Sequence, residues 1–470
     1  MNRTDMAKVF GGVLAAALLA CIYCLAQAKS APVNPGVRGG PAGAGGPLPG
    51  LTADETAFFQ DGRARFAEIE VVQGSSNNGL GPRFNSNQCL SCHAQPTSGG
   101  SSPAKNPLPA VAVLNGARNT VPWFITLSGP VREARFKESD GAPDGEVHNL
   151  FVITGRSDAP GCTIAQFDFL PAGDGLTGQG GNPNIVFRIP TPLFGAGLIE
   201  AIPDSAILAN MKANSTEKSA LGIYGHANAH LSGNVNRSAN DGTITRFGWK
   251  AQNKSLLMFA AEAYNVEMGI SNQLFPQERD ETSSCLFTAT SNDTLNFTTP
   301  SAAAPSNPAV ISDIEGFANF MRMLAPAAPA PDTPSVANGR ANFMSVGCAN
   351  CHTPSLTTGK MIASGSSTVP SAALSNQTVH LWSDLLVHHM GKELADGITQ
   401  GGAGPDEFRT APLWGLGQRI FFLHDGRTSN LLETIKAHKS KGSEANMVID
   451  RFNRLSTREK QEVIDFLRAL

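Results

Sequence analysis

Cys89-Leu90-Ser91-Cys92-His93 and its partner Cys348-Ala349-Asn350-Cys351-His352 are the two stretches on which the reading of the chain turns. In C-x-x-C-H the two thiols add across the vinyl groups of a heme as thioethers, and the adjacent imidazole reaches the iron from one face. One helical turn carries both sulfurs to the macrocycle edge and sets the histidine beneath the metal. A single C-x-x-C also serves redox dithiols and zinc ribbons. Two copies, each followed by histidine, point instead to two c-type hemes on Cys89, Cys92, Cys348 and Cys351, with His93 and His352 as iron ligands.

Working outward, Phe84 lies five residues before Cys89 and Phe343 five before Cys348, so both copies read F-x4-C-x-x-C-H. Each is followed at a distance by a similar amphipathic helix. One carries Phe317, Phe320-Met321-Arg322 and Leu324; the other carries Val463, Phe466-Leu467-Arg468 and Leu470. Ser312 with Glu315 and Ser456 with Glu459 fit capping-box starts. Each half is therefore expected to open with a heme-bearing helix and close with a packing helix.

The spacing differs, with 227 residues from His93 to Phe320 but 114 from His352 to Phe466. The excess is expected as a structured, loop-rich insertion over about 105–247 with short strands such as Phe151-Val152-Ile153 and Ile185-Val186-Phe187. The domain plan is residues 1–28 as a signal peptide, 29–50 as a flexible leader, and 51–324 as the N-terminal heme domain. Residues 325–335 form an Ala-Pro linker and 336–470 the C-terminal heme domain.

The opening residues carry Arg3 and Lys8, an apolar run from Val9 to Leu25, and Ala26-Gln27-Ala28, the pattern of a secretory signal. A periplasmic protein is expected, with no membrane span once the signal is removed. Lipid attachment at Cys21 is the alternative. Loss of residues 1–28 leaves 34 basic against 38 acidic residues, which gives no reason to expect nucleic acid as a partner. Cys162 and Cys285 then remain outside the heme motifs, read as a disulfide in an oxidising compartment or as two separate buried thiols.

The chain resembles the di-heme oxidoreductases related to bacterial di-heme cytochrome c peroxidase and to the di-heme enzyme that matures methylamine dehydrogenase. It is most similar to the branch labelled predicted thiol oxidoreductase. The resemblance rests on Gly79-Leu80-Gly81-Pro82-Arg83-Phe84-Asn85, Thr191 to Glu200, Arg246 to Ala251, Glu267-Met268-Gly269-Ile270, Arg409 to Gly417 and His424-Asp425-Gly426-Arg427. It implies a mainly α fold of two cytochrome c-like heme domains. It also implies a peroxidase-like division of labour: the N-terminal heme meets hydrogen peroxide or another oxidant, and the C-terminal heme relays electrons from a donor cytochrome or cupredoxin. Calcium between the domains is implied as well, with Asn119 and Thr410 to Pro412 as the nearest matches.

Three residues carry the expected chemistry. Glu267, matching an E-M pair of the relatives, is the candidate acid–base group near an open iron; from pattern alone it is equally a solvent-facing glutamate, and Met268 is an alternative iron ligand. Trp249 matches the tryptophan that bridges the hemes, against ordinary core packing. His438 shares an apolar helical face with Leu431 and Ile435, which makes it the candidate distal ligand of the C-terminal heme; the competing reading is a histidine favoured by the helix dipole. His388, His389, Met390 and His424 are rivals, and Arg409, Arg427 and His388 are candidate supporting groups. His148, His226, His230 and His380 take no role. Two further functions compete: an electron-transfer cytochrome without substrate chemistry, and an oxidase of an organic or sulfur substrate.

Overall fold

The computed structural model describes residues 31–137, 149–169, 185–229, 243–287, 311–362 and 369–470. The signal segment, His148, His230 and parts of the expected insertion lie outside them. Among the described residues the helices are α1 (Ala53–Phe66), α2 (Cys89–Cys92), α3 (Leu108–Val111), α4 (Ala196–Glu200), α5 (Asp204–Lys212) and α6 (Ser215–Leu221). They continue as α7 (Leu256–Met268), α8 (Asp313–Met323), α9 (Pro334–Val346), α10 (Leu431–Ala437), α11 (Asn446–Arg454) and α12 (Thr457–Ala469). The strands are β1 (Arg83–Phe84), β2 (Glu133–Phe136), β3 (Phe151–Val152), β4 (Ile185–Arg188), β5 (Leu356–Thr357), β6 (Thr378–Val379), β7 (Val387–His389) and β8 (Glu407–Arg409). They pair as antiparallel two-stranded ribbons, β1 with β3, β2 with β4, β5 with β6, and β7 with β8. The fold is mixed but mostly helical. The strand expectation in the N-terminal half holds at Phe151 and Ile185, and four strands also form in the C-terminal half.

Two equivalent helix pairs organise the chain. α1 starts with a capping box between Thr52 and Glu55 and packs on α8, with Phe66 and Phe320 ring centroids 4.9 Å apart. α9 packs on α12 in the same way, with Phe343 and Phe466 5.4 Å apart. At each crossing a glycine lets the backbones meet: a Cβ on Gly62 would collide with Gly316 O, and one on Gly339 with Glu462 O. α12 opens with the expected Ser456–Glu459 capping box. Ser312 caps α8 by position alone, because its hydroxyl is buried and makes no capping bond.

The helix pairs correct the alignment of the two copies. Phe343 lies in α9, 6.1 Å from the His352 ring, and its counterpart is Phe66, 6.0 Å from the His93 ring. Phe84, at identical spacing from its cysteine, is in β1 opposite Phe151. A second repeat joins them. Gly195 and Gly415 both adopt left-handed backbone conformations, and Gly197 and Gly417 lie against the carbonyl oxygens of Arg322 and Arg468. Thr191-Pro-Leu-Phe-Gly-Ala-Gly197 and Ala411-Pro-Leu-Trp-Gly-Leu-Gly417 are thus the same turn, each tucked beneath its closing helix.

Residues 31–50, expected to be a flexible leader, are bound along the ends of both closing helices. Leu48 N–H donates to Met323 O (2.8 Å), and Arg38 Nη1–H donates to Ala469 O (2.7 Å). Gln461 Oε1 accepts from Val33 N–H (2.7 Å). Small residues and left-handed glycines at 36, 40, 43 and 45 let this segment follow the helix ends closely. The expected linker is also tied down, with Ala325 N–H on Gly46 O and Ala330 N–H on Ala469 O. Cys162 and Cys285, both buried, form the disulfide. No helix among the described residues is long and apolar enough to cross a membrane.

Candidate functional site

Two cavities open beside the C-x-x-C-H motifs. The N-terminal one, about 170 Å³, is lined by Cys89, Cys92, His93, Trp249, Glu267 and Met268 among others. The C-terminal one, about 210 Å³, is lined by Cys348, Cys351, His352, Trp249, His424 and His438 among others. The sequence-selected residues therefore converge on two places, and Trp249 belongs to both.

The histidines of the motifs are oriented by main-chain acceptors. His93 Nδ1–H donates to Gly100 O (3.1 Å), and His352 Nδ1–H to Trp382 O (3.0 Å). A bond of this kind fixes the tautomer and makes Nε2 the metal-binding nitrogen. Burial lowers both imidazole pKa values to about 4, so both rings are neutral. All four motif cysteines lie outside disulfides.

His438 follows the last turn of α10, and its Nδ1–H donates to Thr434 O (2.8 Å). Burial lowers its pKa, whereas a ring held at the helix end by its charge would need a raised one. His388 is unsuited to iron because both nitrogens are engaged, Nε2 with Asp384 Oδ2 (3.0 Å) and Nδ1 with Glu444 Oε2 (2.7 Å). Burial opposes charge on this ring, but the neighbouring Cys351 sulfur and the Asp384 carboxylate hold its pKa well above the usual range. His389 is likewise bound to Asp406 and Glu407 at the surface. Both lie on β7.

Glu267 occupies the last turn of α7, where Gly269 ends the helix in a left-handed conformation. Its main-chain carbonyl accepts from Asn85 N–H (2.7 Å) and Ser86 N–H (3.0 Å), just ahead of Cys89. Its Oε2 accepts from Asn85 Nδ2–H (3.1 Å). Burial, reinforced by the nearby Glu133 carboxylate, pushes its pKa up to about 8. The solvent-facing reading of Glu267 is therefore replaced by a half-buried carboxyl on the cavity wall. Met268 is 3% exposed and lines the same cavity.

Trp249 Nε1–H donates to Ile189 O (2.9 Å), fixing the indole between the cavities. His424 lies 6.5 Å from the indole and stacks on Phe408 at 4.2 Å, with burial lowering its pKa to about 4. Lys250 Nζ sits 4.1 Å from the other partner in this stack, the Phe408 ring. Arg409 lines the C-terminal cavity, as does Arg419, which nothing in the sequence marks. Arg427 instead pairs with Asp425 at the surface. Asn119 spends its carboxamide on the main chain of Ala112 and Val152.

Residues 181–470 match the family described as "Di-haem oxidoreductase, putative peroxidase", a span that includes the second motif and begins beyond the first. No curated protein matches the chain. Among solved structures it is similar to hydrazine synthase from Kuenenia stuttgartiensis, at 18% identity over 34% of this chain and 55% of that one, with a TM-score of 0.21. It is also similar to the diheme peroxidase BthA from Burkholderia thailandensis, at 14% identity over 60% of this chain and 86% of that one, TM-score 0.26. A MauG-like protein associated with microbial copper homeostasis is similar at 14% identity over 66% and 95%, TM-score 0.26. By the match across its C-terminal 290 residues, the chain belongs to the di-heme oxidoreductase family.

Proposed function

We propose that the protein is a periplasmic, peroxidase-like oxidoreductase carrying two covalent c-type hemes, one in each of two heme domains. Cys89, Cys92 and His93 would hold the first, and Cys348, Cys351, His352 and His438 the second. The donor sets suit the group: each cavity offers two free thiols and a neutral imidazole with Nδ1 bound to a carbonyl. When bound, the hemes supply an iron for reaction with the oxidant and a path for electrons.

The residues divide the work unequally. Glu267, raised to about 8, holds a proton near neutral pH and is the group to shuttle one between the two oxygens of a peroxide. Desolvation on the cavity wall strengthens its hold on that proton. His438 closes the second cavity against an external ligand. Trp249 spans the two sites, and its bond to Ile189 keeps the indole in one orientation. The observation that carries the reading is this asymmetry: a half-buried, desolvated carboxyl with a raised pKa in one cavity, a second neutral imidazole in the other, and one tryptophan between them.

Met268 favours a second reading, because its thioether lines the first cavity and would make that heme a six-coordinate carrier. Oxidation of a sulfur substrate through an internal dithiol has less support, since Cys162 and Cys285 are a buried disulfide outside both cavities. EPR of the diferric and half-reduced protein, before and after one equivalent of peroxide, separates the two readings. A high-spin heme consumed by peroxide is expected. Two low-spin hemes inert to peroxide in both states would establish the carrier.

A further inference from the structure

Most buried guanidiniums in this protein have a carboxylate. Arg156 is paired with Asp158, Arg188 with Asp396, Arg246 with Asp204 and Arg322 with Glu200. Arg409, Arg419 and Arg468 make no ion pair among the described residues, but Arg468 is met by Asn34 Oδ1 and by the carbonyls of Gly417 and Arg419. Arg409 Nε–H donates to Gly248 O (3.0 Å). Arg419 is 7% exposed, and its Nε and Nη2 are buried without a partner. Burial alone lowers both pKa values to about 10, with no carboxylate acting in the other direction. A desolvated charge without a counter-charge is unfavourable, and with Arg419 buried and Arg409 half-buried beside it on one cavity wall the two call for an anion.

Their position says which anion. Both line the C-terminal cavity with Cys348, Cys351, His352 and His438. Both also line a small space of about 30 Å³, shared with Trp249, Thr191 and Phe259, on the side toward the N-terminal cavity. The anionic groups of a c-type heme are its two propionates, at the edge opposite the thioether-forming vinyls. We infer that Arg409 and Arg419 form the carboxylate-binding end of the C-terminal cavity, take the propionates of the heme held there, and raise its reduction potential. This rests on the di-heme reading above.

The repeat supplies a contrast. Phe187-Arg188 and Phe408-Arg409 each precede one copy of the turn described above, and each arginine lines its own cavity. Arg188 is neutralised by Asp396 at 2.8 Å, while Arg409 is not neutralised by the protein. The C-terminal heme thus meets two positive charges that the protein leaves unbalanced. Reduction lowers the net charge on an iron porphyrin by one positive unit, so cations at the propionates favour the reduced form. That offsets the low potential expected of bis-imidazole ligation.

The test is potentiometry of the intact protein carrying both hemes, comparing wild type with Arg419→Gln, Arg409→Gln and Arg419→Lys. In each Gln variant the reduced-to-oxidised ratio of the C-terminal heme at a fixed poise should fall about tenfold, a downward shift of about 59 mV for one electron. The N-terminal heme should move much less, and Arg419→Lys should keep most of the wild-type value. Resonance Raman bands of propionate bending should shift in the Gln variants alone. Unchanged potentials in both Gln variants, with both hemes attached, would overturn the assignment. If Arg419→Gln does not retain its second heme, the decision passes to the other two variants. Arg409→Gln lowered with Arg419→Lys preserved supports the assignment, and any other pattern overturns it. A wild type without covalent heme defeats the di-heme reading and this inference together; two hemes inert to peroxide defeat only the peroxidase reading.

Discussion

His352 and His438 line one cavity, and each gives its Nδ1–H to a main-chain carbonyl, Trp382 O for the first and Thr434 O for the second. The proximity of His438 helps burial depress the pKa of His352. On the proposal above, these two imidazoles, each with Nδ1 engaged, would offer Nε2 to one metal. His438→Ala should turn the C-terminal heme from low-spin to high-spin in EPR and leave the N-terminal signal unchanged. A C-terminal heme that stays low-spin would assign its ligand elsewhere. His388→Ala should behave differently: it strands Asp384 and Glu444 without their cation, costing about 3–5 kcal/mol of stability in a denaturant titration while the heme stays low-spin.

Glu267→Gln should leave both hemes attached and slow the reaction with peroxide by about a hundred- to ten-thousandfold, the usual range for a lost acid–base group. Stopped-flow measurement checks this. The first proton transfer requires the carboxylate, so the wild-type rate should rise with pH and level off above about 8. Stability runs the other way. Below the ordinary value of 4.5 the group is protonated in both folded and unfolded chains; above it the unfolded chain releases a proton that the folded chain retains until about 8. Wild-type stability should therefore fall across that window. Glu267→Gln should have the higher Tm, by a margin that opens above pH 4.5 and is widest above 8.

Trp249→Phe removes the donor to Ile189 O and the indole shared by the two cavities. The expected result is slower movement of oxidising equivalents from one heme to the other after peroxide addition, with the initial peroxide reaction preserved. Rapid-freeze EPR separates the two phases. The unsatisfied carbonyl should cost about 1–3 kcal/mol. Unchanged inter-heme kinetics would reduce Trp249 to a packing residue.

Gly62→Ala and Gly339→Ala should each destabilise the protein by about 1–3 kcal/mol or more, because the added methyl meets a carbonyl oxygen of the opposing helix. Gly39→Ala, where a Cβ meets nothing, is the control. Thermal unfolding checks all three.

How much of this could be read from the sequence depends on whether chemistry or packing selected the residue. The two C-x-x-C-H motifs are local, and Glu267, Trp249 and His438 stand out through residue type and pattern. The structure gathers them around two cavities. The correspondence of Phe66 with Phe343 was hidden, because one lies 23 residues before its first motif cysteine and the other five; a coincident Phe84 took its place. The repeat Pro192-Leu-Phe-Gly-Ala-Gly197 and Pro412-Leu-Trp-Gly-Leu-Gly417 was legible in principle, since Gly195 and Gly197 have glycine partners at 415 and 417. Arg419 gave no signal at all. A lone arginine becomes informative only once its burial and its lack of a counter-charge are known. Residues 31–50 misled through their composition, because a segment without bulky side chains can still be held by main-chain bonds.

That segment also sets an order of events. Val33 bonds Gln461 and Arg38 bonds Ala469, contacts that span 428 and 431 residues. Pairings so distant along the chain close late. Leu48 can pair with Met323 once α8 has formed, but the Val33–Arg38 end of the segment must wait for α12 before it can dock. Until then that end of the clasp stays open.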